Sequence, residues 1–197
     1  MTRKAVYSTG LLLTLVSTVM TIASIATPRW VSLSSHHERK FSMGLHKYYS
    51  GVTDTYTSFP RESDCVKDRS FCDMWRTVGF LLSFDVVVEL CTLVAFVVII
   101  AGGVQRRTAG WKIVSGLLFF AGFVQCVGMA LVAYLFNNDD RFFDGWYLDS
   151  SWTLCTASWS ILVLSGFAMT ASALYLAPEG DYELIPDENL EVVQDEQ

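Results

Sequence analysis

Four long apolar stretches constrain this chain more than any other feature. A helix needs about 20 apolar residues to cross the hydrocarbon core of a bilayer, and four segments meet that length, at about residues 7–26, 75–101, 111–136 and 152–177. The chain is 52% hydrophobic and only 17% charged, whereas soluble domains carry about 25% charged residues. The sequence therefore predicts an all-α membrane protein, a bundle of four transmembrane helices within one domain of residues 1–177.

The segments between the spans differ greatly in length and indicate the orientation. The short segment 102–110 contains Arg106 and Arg107, and basic residues in short loops favour the cytoplasmic side. A count over all loops favours the opposite orientation, because the long first loop carries more bases. We expect both termini in the cytoplasm, loops 27–74 and 137–151 outside, and residence in the plasma membrane.

The first span has an alternative interpretation as a cleaved signal peptide. Ser24 and Ala26 have the spacing of a signal-peptidase site. The apolar stretch is longer than the roughly 7–15 residues of a signal h-region, so we expect a retained helix. Small hydroxyl residues form one stripe along this helix, which allows close helix contact in lipid; they are Thr14, Ser17, Thr18, Thr21 and Ser24.

The first loop contains two cysteines and two strand-like segments. Cys65 and Cys72 lie in polar sequence and fit a disulfide on the oxidising side of the membrane; a zinc site is the alternative, but no histidine or second cysteine pair accompanies them. The stretches "WVSLSS" and "VTDTYTSF" alternate β-branched or aromatic residues with polar ones. They predict a small extracellular antiparallel β-sheet in this loop.

The second outer loop, "NNDDRFFDGWYLDSSW", is rich in aspartate but lacks the spacing of a calcium loop. The Asp144-Gly145 pair is typical of a turn. We expect its aromatic residues at the membrane surface or in a contact patch. Tryptophans at three span boundaries, Trp75, Trp111 and Trp152, fit an interfacial aromatic belt.

Two carboxylates interrupt the second span. Asp85 and Glu89 are four residues apart and share a helix face, and Gln125 lies at a similar depth in the third span. A protonated Glu89 donating to Gln125 is the least costly arrangement for a buried pair. Three interpretations stay open: polar contacts that join helices, a span boundary that puts Asp85 in the interface, or a proton or cation site.

The first loop resembles that of the claudin and peripheral-myelin-protein superfamily, most closely the claudin-like proteins of fungi. Trp30 matches the first tryptophan of the family motif, and Gly44-Leu45 begins Gly-Leu-Trp, with His46 in place of the tryptophan. Cys65 and Cys72 match the family disulfide, which crosses a small sheet. The resemblance implies a left-handed four-helix bundle with an extracellular β-sheet that contacts lipid, wall or neighbouring molecules, without catalysis.

The segment after Ala177 carries eight acidic residues and no Lys or Arg, which is typical of a solvated, disordered tail. We expect residues 178–197 to form an acidic cytoplasmic tail that binds cytosolic proteins. Tyr182 and Ile185 in "YELI" match a tyrosine-based sorting signal, a pattern that is frequent by chance.

No nucleotide-binding, metal-binding or hydrolase motif is recognisable in the sequence. We expect no enzyme, cofactor, metal or nucleic-acid partner. The expected function is structural: organising membrane domains or cell-surface contacts through the first loop, with the bilayer, further copies or neighbouring membrane proteins as partners. The alternative is a small oligomeric channel or transporter subunit that uses Asp85 and Glu89.

Overall fold

Four long helices and a small antiparallel sheet make up the computed structural model, which describes residues 3–35, 38–61, 65–66 and 69–175. The helices are α1 Arg3–Ala26, α2 Arg69–Ala101, α3 Gly103–Asn138 and α4 Ser150–Tyr175. Within the described residues, all four are long and apolar enough to cross a membrane. The mostly helical fold with a small sheet is thus the one predicted, and it is compatible with a four-helix membrane protein.

Two helix boundaries differ from the sequence-based expectation. α2 begins at Arg69, six residues before the apolar stretch, and α3 begins at Gly103. The segment 102–110 is therefore mostly helical, since Gly102 alone separates the two helices. Arginine is a good helix former, so the polar Arg106-Arg107 pair ends the apolar stretch without ending the helix.

The surface of the bundle is apolar and its interior carries polar side chains. The hydroxyl stripe of α1 is buried, while aliphatic residues of the same helix, such as Leu12 and Val19, are exposed. Exposed aliphatic and aromatic side chains occur along the other helices as well. An exterior with this many exposed apolar side chains is unfavourable in water, so this distribution suits a hydrocarbon environment.

The sheet has five strands in the order β4-β3-β2-β1-β5, and all neighbours are antiparallel. The first loop supplies four of them, β1 Val31–Ser35, β2 Glu38–Met43, β3 Lys47–Ser50 and β4 Thr55–Ser58. The fifth, β5 Trp146–Leu148, comes from the loop between α3 and α4 and pairs with β1. The sequence predicted only a turn here, and that turn is made by Gly145 with φ of 109°.

The sheet lies at the end of the bundle where α1 ends and α4 begins. An apolar cluster joins it to the helices and contains Trp30, Leu45, Phe71 and Trp75. The indole of Trp75 is fully buried and donates to the Gly44 carbonyl at 3.3 Å. Trp75 therefore belongs to the core and not to an interfacial belt. A second apolar cluster, which includes Tyr7, Phe96 and Met169, fills the other end of the bundle.

Candidate functional site

A layer of polar side chains separates the two apolar clusters and receives residues from all four helices. Each of its members is fully buried; they are Ser17 and Thr21 of α1, Asp85 and Glu89 of α2, Gln125 of α3 and Ser158 of α4. We call this set the polar layer. Because buried polar groups are favourable only when they are paired, its internal contacts decide what it can do.

Helix periodicity brings these residues to one level. Ser17 and Thr21 are four residues apart, as are Asp85 and Glu89, so each pair shares a face of its helix. Asp85 is the middle residue of α2. The consecutive helices α2 and α3 pack against each other, and their pairing brings Gln125 of α3 beside Asp85 and Glu89.

Gln125 is the central donor of the polar layer. Its Nε2 lies 2.5 Å from Asp85 Oδ2, 2.8 Å from Glu89 Oε1 and 2.9 Å from Thr21 Oγ1. The amide thus joins α3 to both α2 and α1. The sequence-based expectation had Glu89 donating to Gln125, whereas in the structure the amide donates to the carboxyl groups.

Hydroxyl groups complete the connection to α4. Ser158 Oγ lies 2.7 Å from both Ser17 Oγ and Thr21 Oγ1. Thr21 also donates to Glu89 Oε1 at 3.1 Å. The four helices are therefore linked by one continuous set of hydrogen bonds.

The polar layer has more acceptors than donors. Asp85 Oδ1, Glu89 Oε2 and Gln125 Oε1 are buried and have no hydrogen-bond partner within the described structure. No ion pair to Asp85 or Glu89 occurs among the described residues. A bound proton or cation would give these oxygens a partner. The polar layer therefore holds two carboxyl groups without a neighbouring positive charge.

The residues that carried the claudin resemblance lie where the sheet joins the bundle. Trp30 is fully buried, its Nε1 donates to the Ser24 carbonyl at 2.8 Å, and its backbone N–H donates to Met43 at the same distance. Leu45 is buried in the same apolar cluster. A Cβ added at Gly44 would lie 2.4 Å from the Pro28 Cα, so only glycine fits there.

Cys65 and Cys72 form a disulfide in the structure, which leaves neither as a metal ligand. Cys72 belongs to α2, and neither cysteine lies in a strand. The bond therefore tethers the loop to the helix and does not cross the sheet. Of the three free cysteines, Cys155 is buried, whereas Cys91 and Cys126 are exposed.

Two other predictions, the sorting signal and the acidic tail, cannot be placed in the structure. Tyr182, Ile185 and the acidic segment 178–197 lie outside the described residues. Sequence reasoning missed Ser158, although a signal for it existed: Ser151, Ser158 and Ser165 are spaced by seven residues along α4 and all three are buried. Serines repeated every seven residues in an apolar helix indicate a face that contacts other helices.

The chain matches a known protein family. The family model described as Lipoma HMGIC fusion partner-like protein matches residues 9–143. No curated protein matches the chain significantly.

This match overturns the claudin assignment, which is wrong. The residues behind that resemblance are explained by packing, because Trp30, Gly44 and Leu45 fasten a sheet to a helix bundle, a requirement that does not identify a family. The disulfide also departs from the expected one, since it joins a loop to α2. With most of the chain matched, from the second turn of α1 to the loop between α3 and α4, the protein belongs to the lipoma HMGIC fusion partner-like protein family.

Proposed function

We propose that this protein has a structural role in the plasma membrane, with the helix bundle as the anchor and the sheet as the surface that contacts neighbouring molecules. Both termini would then be cytoplasmic and the sheet extracellular. The Cys65–Cys72 disulfide supports this orientation, because disulfides persist on the oxidising side of a membrane. The apolar exterior of the helices supports membrane insertion.

The observation that carries the proposal is the free edge of the sheet. Among the residues that the structure describes, β4 is the last strand of the order β4-β3-β2-β1-β5 and pairs only with β3. Tyr56 on this strand is 63% exposed, and Val52, in the turn before it, is 78% exposed. An unpaired edge with exposed apolar side chains is a surface on which another chain can pair.

The sheet is also held firmly, as a contact surface requires. Trp30 and Trp75 fix it to α1 and α2 through buried hydrogen bonds. The disulfide fixes the segment after β4 to α2. Tyr56 packs against Tyr49 of β3, with ring centroids 5.0 Å apart, which fixes the exposed ring in place.

Site-specific photocrosslinking in cells tests this proposal. A photoreactive residue at position 56 is expected to give a discrete adduct, either a dimer of this chain or a complex with a neighbouring membrane protein. Val66 is 85% exposed beside the disulfide and lies outside β4, so position 66 is the matched control. Equal adducts at both positions, or none at position 56, would contradict the contact role.

A second function, proton or cation handling, is favoured by the three unpartnered oxygens of the polar layer. Intramembrane carboxyl groups often mark ion pathways. Four helices leave little room for a pathway inside one chain, so this function would need oligomers. Purified protein in liposomes tests it: a proton or Na⁺ flux that Glu89→Gln abolishes at normal expression supports transport, and the absence of flux above empty liposomes rejects it.

A further inference from the structure

A groove between α1 and α2 opens directly under the sheet. Its volume is about 400 Å³, within the roughly 300–1,000 Å³ that small-molecule sites occupy. Ile22, Ile25 and Ala26 of α1 form one wall and Val86 of α2 the other. Since Ile22 and Ala26 are exposed, the groove faces outward from the bundle.

We call it the α1–α2 groove. Its end beside the sheet is polar and positively charged. His46 and Lys47, at the turn from β2 into β3, lie over the last turn of α1. Both side chains are exposed, and within the described structure Lys47 makes no salt bridge. No Asp or Glu lines the groove, so the Lys47 charge is not offset locally.

Backbone hydrogen bonds hold the segment with His46 and Lys47 in place over the α1–α2 groove. Gly44 N–H donates to the Lys47 carbonyl at 2.8 Å, and Phe59 N–H donates to the His46 carbonyl at 3.0 Å. These bonds fix the backbone from which the Lys47 side chain extends, so less backbone freedom is lost when a ligand binds.

We propose that the α1–α2 groove binds an anionic phospholipid, with one acyl chain between Ile22 and Val86 and the headgroup phosphate at Lys47. This inference rests on the proposed membrane placement, in which the sheet end of the bundle lies at the headgroup level. The polarity of the groove matches that of a lipid, because its walls are apolar toward the middle of the helices and its charge lies at the end of α1. Lys47 favours a net negative headgroup over a zwitterionic one.

Native mass spectrometry of the full chain tests the proposal. The protein is reconstituted with phosphatidylcholine and phosphatidylglycerol, and lipid adducts are measured after gentle detergent release. Wild-type protein is expected to retain one phosphatidylglycerol in preference to phosphatidylcholine by about fivefold, which corresponds to about 1 kcal/mol for one lysine at an anionic surface. Lys47→Gln is expected to remove this preference, whereas Lys47→Arg keeps it.

Matched variants separate the groove from general electrostatics. Lys112→Gln removes an exposed lysine beside Trp111, outside the groove, and is expected to leave the preference unchanged. Ala26→Phe fills the groove and is expected to lose both adducts; Ser83→Phe fills it from α2 and serves if the first variant does not fold.

Each of the following results would overturn the proposal. An adduct that survives both filling variants places the lipid elsewhere, and a preference unaffected by Lys47→Gln removes the charge argument. A sterol adduct or a dimer in place of the phospholipid identifies another occupant. Alkaline extraction of membranes distinguishes failure of the lipid site from failure of the membrane placement. Wild-type protein that stays in the membrane but shows no preference for phosphatidylglycerol overturns only the lipid site. Protein that is extracted overturns the membrane placement as well.

Discussion

The amide Nε2 of Gln125 lies 2.8 Å from Oε1 of Glu89, and this hydrogen bond joins α3 to α2 at the buried centre of the bundle. Both side chains are fully buried. The same nitrogen reaches Asp85 and Thr21, and Ser158 extends the set to α4. One amide thus links helices that are distant in sequence, and the stability of the bundle should depend on it.

Replacing Gln125 with leucine should lower the stability of the bundle. The variant keeps side-chain volume but removes the donor shared by Asp85 and Glu89, and a buried group left unpaired costs about 1–3 kcal/mol. The thermal midpoint in detergent should fall by several degrees. Ser115→Ala is the control, because Ser115 Oγ bonds only within its own helix. Equal midpoints for the two variants would contradict a linking role.

Glu89→Gln should leave membrane expression and the thermal midpoint near wild type if the carboxyl is structural. The amide keeps the shape and an acceptor for Gln125, and it adds a donor to a layer that is short of donors. Glu89→Ala should lower both quantities, since it leaves Gln125 and Thr21 without that partner and opens a cavity. If Glu89→Gln is as damaging as Glu89→Ala, the layer needs a negative charge, and a bound cation becomes the better explanation.

Gly44→Ala should destabilise the junction between sheet and bundle. The new Cβ would meet the Pro28 backbone at 2.4 Å, and backbone cannot move aside as a flexible side chain can. Gly116→Ala should act in the opposite direction or have no effect, because its Cβ would meet nothing within 4 Å and alanine is the better helix former by about 1 kcal/mol. Thermal midpoints of the pair, measured side by side, check the difference in sign.

Removing the disulfide with Cys65→Ser and Cys72→Ser together should lower the free energy of unfolding by about 2–3 kcal/mol, the model-dependent value for a short closed loop. Cys91→Ser, at an exposed free cysteine, should have no such effect. Unfolding in denaturant with and without reductant measures the change, because reductant should affect only the chains that keep the bond.

The same cysteines report the orientation. In intact cells, Cys65 and Cys72 should react with a membrane-impermeant maleimide only after treatment with an impermeant reductant. Reaction without reduction, or only after the membrane is opened, would contradict an extracellular disulfide.

The sequence by itself determined the class of the fold. Four apolar stretches determined four helices, since each is long enough to satisfy its own backbone in lipid, and the i, i+4 spacing of Asp85 and Glu89 placed both acids on one face. These are local properties, which periodicity and length report directly. The alternation in "WVSLSS" and "VTDTYTSF" likewise marked strands in the first loop.

Only the tertiary structure decided which distant residues meet. β5 forms because Trp146–Leu148 lies beside β1. The two segments are more than one hundred residues apart, and the three residues of β5 do not by themselves predict a strand. Trp75 lies in the core and not at the expected interface for the same reason, since the sheet covers it. Ser158 joins Ser17 and Thr21 only because α4 packs on α1. Long-range packing sets these contacts, and a pattern read along one chain does not contain the partner.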